Sequence, residues 1–258
     1  MEGWRDGFES WKVPPTLCFL KASLTHVAKI PRDGIFNLNP AVPFVRPDIV
    51  DQHWVLFQSF MSASHFISTA IITALGDILG LEGPARFENC HREDAPSNCA
   101  LGMNKYPKRS ATDCNLGHNA HTDVGSITLL FCSEWGLQVL SPKTGKWAYV
   151  APLSGYAIVN VADSLRFLSG NRLRSCLHRV VPYAGCEQRT RYSFAYFLRP
   201  DRDTIFRDLE GNEWTAQKWQ ERKYVNFRET HSKQRMSSLQ TGQTGVLGLW
   251  DQCNGISA

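Results

Sequence analysis

The sequence predicts an α+β chain with a mainly β core, a double-stranded β-helix or jelly-roll barrel flanked by helices. Three observations carry this expectation. Between about Ala100 and Phe206, β-like runs alternate with turn-rich pieces such as SPKTGKW and PLSGY, which suits a closed antiparallel architecture. From Pro47 to Leu81 apolar residues recur at helical spacing instead. Beyond Phe206 the pattern LEGNEWTAQKWQERKYVNFRE reads as a turn and then a helix starting near Glu213.

In chain order, residues 1 to 46 are loop-rich, with prolines at 14, 15, 31, 40 and 43 and no motif that carries chemistry. The helical region follows, with Asp48 able to cap it after Pro47 and Gly83-Pro84 ending it. Its Ile49, Phe57, Phe60, Met61, Ile67, Ile71, Leu75 and Ile78 form the expected core stripe, and Ser62 to Ser64 is a candidate break. His53 and His65 on this helix are read as solvated or hydrogen-bonded residues, not ligands. A short helix is a candidate from Ala85 to Glu93. The expected division is 1–99 as an N-terminal loop and helical region, 100–206 as the barrel core and 207–258 as a C-terminal helix and tail. In that helix Trp214, Trp219 and Tyr224 lie on the apolar side, and in the tail Leu247, Leu249 and Trp250 could dock on the body.

Composition narrows the function classes. A chain of 258 residues with 43% hydrophobic and 20% charged residues is ordinary for a soluble globular protein of one large or two small domains. A net charge of +4 without a long Lys/Arg block implies neither a nucleic-acid nor an acidic membrane partner. Eight cysteines without a C-x-x-C pair read as reduced thiols of an intracellular protein. The start MEGWRDGFESW has no cationic, then apolar, leader pattern, and no stretch is expected to span a membrane, so the location expected is cytoplasmic.

The chemistry lies between His118 and Pro200. His121 and Asp123 are one residue apart in a run that continues as alternating strand sequence, so both are expected on one face of a strand. His178 lies 55 residues further, in the strand-like CLHRVV. Two imidazoles and a carboxylate converging in this way would form a 2-His-1-carboxylate facial triad, which binds Fe(II) and leaves coordination positions open. His118 is an odd number of residues from His121 and is therefore expected on the opposite face. Arg191 and Ser193, again at i and i+2, would share one face of the next strand. A guanidinium in an apolar sheet is costly unless paired, and its planar fork suits a carboxylate held bidentately. By the same parity Phe197 and Arg199 follow on the inner face, Phe197 as a candidate substrate wall and Arg199 as either a partner for a substrate carboxylate or a rim residue.

HTDVGSITLL, DSLRFLSGNRLRSCLHRVV and RYS together resemble the iron- and 2-oxoglutarate-dependent dioxygenase superfamily of the isopenicillin N synthase-like type, and MNKYP is similar to its Asn-x-Tyr-Pro element. The resemblance implies that His121, Asp123 and His178 are iron ligands. It further implies that Arg191 and Ser193 hold the distal carboxylate of 2-oxoglutarate, with Asn104 and Tyr106 beside it. Two departures stand out: Ala162-Asp163 replaces the family's usual Gly-Asp, and part of the usual N-terminal region is expected to be missing.

The implied cofactors are Fe(II), 2-oxoglutarate as cosubstrate and O2. The implied activity is hydroxylation, desaturation or oxidative rearrangement of a small organic metabolite in specialised metabolism, with release of succinate and CO2. Three alternatives remain: a 2-oxoglutarate-independent oxidase of the same fold, a zinc hydrolase, and a truncated relative serving as a non-catalytic binding module. The sequence expresses no preference on oligomeric state or substrate identity.

Overall fold

The structure is a computed structural model that describes residues 28–36, 38, 48–108, 118–181, 183, 190–229, 233 and 237–242. The expected docking residues Leu247, Leu249 and Trp250 lie outside the described residues. The elements run β1 (Ala28–Pro31), α1 (Arg32–Ile35), α2 (Asp48–Gln52), α3 (Trp54–Ile78), β2 (Ala100–Tyr106), β3 (His118–His121), β4 (Ile127–Cys132) and β5 (Leu137–Leu140). They continue with β6 (Trp147–Tyr149), β7 (Ile158–Val161), α4 (Asp163–Leu168), β8 (His178–Val180), β9 (Arg191–Leu198), β10 (Ile205–Arg207), β11 (Glu213–Thr215) and α5 (Ala216–Arg228). One sheet has the order β1-β2-β9-β4-β7, the other β3-β8-β5-β6, and β10-β11 is a separate hairpin. Every strand pair is antiparallel, so the two larger sheets form the mainly β, jelly-roll core that the strand rhythm predicts.

The five-stranded sheet has two unlike faces. Leu101, Met103, Ile127, Leu129, Phe194, Tyr196 and Leu198 point outward into a core with Phe57, Phe60, Met61 and Ile72 of α3. Burial of each such large side chain contributes about 1.5–3 kcal/mol, which fixes the register of the sheet against the helix. The opposite face carries Asn104, Tyr106, Arg191 and Ser193, the residues of opposite parity. Tyr106 is opposite Arg191 and Asn104 opposite Ser193 in the ladder.

Several expectations need correction. The helix is not broken at Ser62 to Ser64; α3 is continuous over 25 residues, and the interruption falls at His53, between α2 and α3. Ile78 is 78% exposed, because the stripe has rotated off the sheet by the last turn. Contrary to the expectation that no stretch approaches a membrane span, α3 is long and apolar enough to cross one by length and composition alone, with a window of mean hydropathy 1.4. The reason is its composition: Ser59, Ser62, Ala63, Ala70 and Ala74, with the apolar Val55, Phe66 and Ile78, fill the exposed face where charges usually stand, while the other face is buried. The candidate helix at Ala85 to Glu93 is instead two 3-10 turns, Gly83–Ala85 and Phe87–Cys90. Strands begin before Ala100, since β1, from the stretch read as loop, pairs with β2 at the sheet edge. Trp214 belongs to β11, and the last helix starts at Ala216, where the Thr215 hydroxyl accepts from the Lys218 N–H as an N-cap.

A smaller core joins the end of the chain to the barrel. Phe167 of α4, Phe206 of β10, and Ala216 and Trp219 of α5 enclose Val124, which follows Asp123. Phe167 stacks on Phe206 at 5.4 Å and meets Trp219 edge-on at 5.0 Å. The turn after β3 is thereby clamped by α5.

Candidate metal and cosubstrate site

His121 is the last residue of β3, and Asp123 lies in the turn that follows, not on the strand. The parity expected for an H-x-D strand pair is therefore not what brings the two together; the turn folds the carboxylate back. Asp163 N–H donates to the Asp123 carbonyl at 2.9 Å, and the Ser164 N–H and hydroxyl donate to the Gly125 and Val124 carbonyls at 2.7 and 2.9 Å. A Cβ on Gly125 would lie 2.3 Å from the Leu198 carbonyl oxygen, so only glycine lets the turn press on the end of β9.

The result is a compact set of donors. The Asp123 Oδ1 is 3.7 Å from His121 Nε2 and 3.8 Å from His178 Nε2, and the three potential ligand atoms lie within 4.8 Å of one another. His121 and His178 face each other across the β3–β8 ladder. Each imidazole has its Nδ1 at a backbone carbonyl, Asn119 at 2.7 Å and Cys176 at 3.0 Å. Those carbonyls accept Nδ1–H, which leaves both Nε2 lone pairs turned to the centre. The Asp123 Oδ2 accepts from the Thr128 hydroxyl at 2.7 Å and from the Asn160 amide at 3.0 Å, so Oδ1 is the oxygen presented.

The electrostatics agree with a cation site. Burial lowers the His121 imidazole below its ordinary range, with the neighbouring His178 and His118 adding to the effect. Burial acts to raise the Asp123 carboxyl, but His178, His121 and the bonds from Asn160 and Thr128 outweigh it and hold the group well below the usual carboxylate range. A neutral imidazole at His121 beside an ionised Asp123 carboxylate suits a divalent metal, which binds deprotonated ligands.

His118 corrects a second parity argument. The β3–β8 register shifts between His118 and His121, and the His118 ring stacks on His121 with centroids 4.3 Å apart. An irregular strand does not keep period 2. His118 therefore flanks the triad, although it is not among the three atoms that converge.

Deeper in the barrel, Arg191 is 7% exposed, yet none of its Nε, Nη1 and Nη2 has a hydrogen-bond partner among the described residues. Its guanidinium lies over the Tyr106 ring at 5.0 Å, and Asn104 donates to Ser193 Oγ at 3.4 Å. Burial raises the Tyr106 hydroxyl, the Arg191 cation acting against it. A buried guanidinium left without an acceptor is costly, and a carboxylate held by Arg191 with Ser193 beside it removes that cost. The donor set and the orphaned guanidinium thus both fit Fe(II) with 2-oxoglutarate. Gly136, at φ +136°, was missed in the sequence: a Cβ there would come within 3.2 Å of Arg191 Cδ and Nε.

Of the residues anticipated as substrate contacts, Phe197 is half-buried on the inner face. Arg199 is not at an open rim. It is 7% exposed, donates to the Asn98 carbonyl and to Tyr224 Oη (3.0 Å), and so ties the end of β9 to α5. The Ala162 that replaces the family glycine has φ −116° and ψ −178°, extended backbone that needs no glycine.

A jelly-roll barrel holding two imidazoles and a carboxylate around an open centre defines a mononuclear non-haem metal enzyme of the facial-triad class. Comparison with known proteins specifies it further. Residues 97–200 match the 2OG-Fe(II) oxygenase superfamily. The 2-oxoglutarate-dependent dioxygenase iboH of Amanita muscaria is 49% identical over 199 residues, 76% of this chain and 96% of the relative. The oxidoreductase vrtI of Penicillium aethiopicum is 46% identical, but the match spans only 48% of its length. Among solved structures, a 2OG-Fe(II) oxygenase family protein from Caulobacter crescentus superposes with a TM-score of 0.64 at 24% identity, over 78% of this chain and 69% of that one. The chain belongs to the 2OG-Fe(II) oxygenase superfamily and is a non-haem, Fe(II)- and 2-oxoglutarate-dependent dioxygenase that uses O2.

Proposed function

We propose that this dioxygenase oxidises a small organic metabolite in specialised metabolism, with hydroxylation as the default outcome and desaturation or rearrangement open to the same centre. His121, Asp123 and His178 hold the iron in this reading. Arg191 and Ser193 hold the distal carboxylate of 2-oxoglutarate, flanked by Asn104 and Tyr106. The observation that carries it is the pairing of a three-donor centre with a buried guanidinium that has no acceptor among the described residues. A zinc hydrolase gives that guanidinium nothing to do.

When bound, iron and 2-oxoglutarate together supply the oxidising power for C–H oxidation by O2, with succinate and CO2 as the co-products. The chain contributes orientation and exclusion of water. Asn119 and Cys176 carbonyls fix the imidazole tautomers, and Thr128 with Asn160 keep Asp123 one-oxygen-forward. The aromatic residues Tyr106 and Phe197 line the inner face on which substrate and cosubstrate would meet.

Arg191→Leu tests the cosubstrate assignment. Removing a charge-assisted bidentate contact of about 1.5–3 kcal/mol should raise the 2-oxoglutarate requirement by an order of magnitude or more while Fe(II) affinity stays near wild type. Ordinary 2-oxoglutarate affinity in that variant would refute it.

A further inference from the structure

Around Tyr224 stands a group of donors with no acid among the described residues to receive them. Lys29 of β1 is opposite Gly102 in the ladder and therefore shares the inward-facing side of β2 that also bears Asn104 and Tyr106. Its ammonium is 3.4 Å from Tyr224 Oη, 4.9 Å from the Tyr224 ring centroid and 6.0 Å from that of Phe197. Arg199 reaches the same phenol oxygen at 3.0 Å, lies over Phe197 at 5.4 Å and leaves its buried Nε without a partner among the described residues. Among the described residues neither cation is within ion-pair distance of a carboxylate.

The chemistry of the phenol sharpens the case. Tyr224 Oη accepts from both cations, so its own O–H must point to a third acceptor, and none exists among the described residues. Burial acts to raise this phenol, yet Arg199 and Lys29 outweigh it and pull it below its ordinary value. The carboxylate whose field also reaches Tyr224 is Asp123, and that group is engaged by Thr128, Asn160 and the two imidazoles. The group also abuts the metal centre: Tyr224 contacts Phe227, and Phe227 meets the His121 ring edge-on at 5.8 Å.

We infer that Lys29, Tyr224 and Arg199, walled by Phe197 and Phe227, form an anion subsite that receives the carboxylate of an organic-acid substrate and presents its carbon body to the triad. The inference rests on the dioxygenase reading of the triad for the word substrate, but not for the anion binding itself. Lys29 and the Tyr224 O–H supply the direct contacts. Arg199 is a positioning residue that holds the phenol and adds charge. Arg191, on the far side of the same face, is reserved for the cosubstrate, so two acids bind at two separate cations.

The experiment loads the full chain anaerobically with Fe(II) and saturating 2-oxoglutarate, which occupies Arg191, and titrates it calorimetrically with phenylacetate, hexanoate and the primary amide of each. The acids should bind about tenfold or more tightly than their amides, as loss of a charge-assisted contact implies. Lys29→Met and Tyr224→Phe should each remove most of that preference without altering 2-oxoglutarate affinity; Lys29 is exposed, and its replacement leaves the core intact. Equal binding of acids and amides, no acid binding, or acid binding that Lys29→Met leaves unchanged would overturn the subsite. If iron and 2-oxoglutarate fail to bind the wild type, the dioxygenase reading fails separately. The same acids titrated into metal-free Arg191→Leu protein, with and without Lys29→Met, then decide the subsite by the same criterion.

Discussion

Lys223 of α5 donates at 2.6 Å to both the carbonyl and the hydroxyl of Thr122, the residue between His121 and Asp123. Its third N–H goes to Asp163 Oδ2 at 2.5 Å, and Ser175 donates to the other oxygen of Asp163 at 2.9 Å. Lys223 is completely buried, so all three of its protons are satisfied within the protein. The same Asp163 offers its backbone N–H to Asp123. A helix far along the chain thereby sets the backbone between two of the three candidate metal-ligating side chains.

Lys223→Met should leave Asp163 as an uncompensated buried carboxylate and cost about 3–5 kcal/mol of stability. Urea unfolding at neutral pH measures this, and the Lys223→Met/Asp163→Asn double variant should regain part of the loss. A change below about 1 kcal/mol would mean that the pair is no more than a surface-grade ion pair.

Gly136→Ala should weaken 2-oxoglutarate binding while sparing Fe(II). A methyl group there meets Arg191 Cδ and Nε at 3.2 Å, and φ +136° strains any side chain. A shift of the guanidinium by a few tenths of an ångström spoils a bidentate fork, so we expect about a tenfold loss, of the order of one charge-assisted hydrogen bond. Separate calorimetric titrations with Fe(II) and with 2-oxoglutarate distinguish this from general unfolding.

Thr128→Val tests the role of Asp123 Oδ2. Loss of an outer partner of a ligand costs about 10–100-fold in metal affinity, and the isosteric valine changes little else. Competition with a calibrated chelator reads the Fe(II) affinity directly; an unchanged value would show that Asn160 alone suffices to orient the carboxylate.

His65 and His91 make stability fall in mild acid. Burial lowers each to about 4, from an ordinary 6.5. His65 is bonded to Tyr196 Oη at 2.9 Å, and His91 lies between the Phe87 carbonyl and the Ser126 hydroxyl at 2.6 and 2.7 Å. The unfolded chain takes up these protons below pH 6.5 and the folded one only near 4, so stability declines as pH falls through that window. At pH 5 the loss is about 2 kcal/mol per histidine relative to pH 7.5. Urea midpoints across that range in metal-free protein check it, and His91→Gln should remove roughly half of the combined slope of this pair.

The legible part of the molecule was the part governed by period and residue chemistry. β9 shows it best: Arg191, Ser193 and Phe197 share the inner face, and Phe194, Tyr196 and Leu198 the core face. Parity failed at β3, where a strand end and a register shift move Asp123 and His118 in ways that no period records. Ligand chemistry singled out His121, Asp123 and His178 as candidates, and the structure brings the three together although the geometric reason was wrong. Lys223 and Lys29 escaped notice for a different cause. A lysine in a helical or loop-rich stretch reads as solvated, and only long-range packing shows one buried against Thr122 and the other turned toward Tyr224. The two 3-10 turns and the β10–β11 hairpin are too short for periodicity to register.

The most direct measurement is anaerobic titration of the apoprotein with Fe(II) and 2-oxoglutarate, followed through the visible charge-transfer absorption of the iron–keto-acid chelate. It requires no substrate. We expect the band to appear in wild-type protein, to vanish in His121→Ala and to weaken in Arg191→Leu. A folded, iron-loaded wild type that gives no band would contradict the cosubstrate site, and a folded wild type that binds no iron would contradict the triad itself.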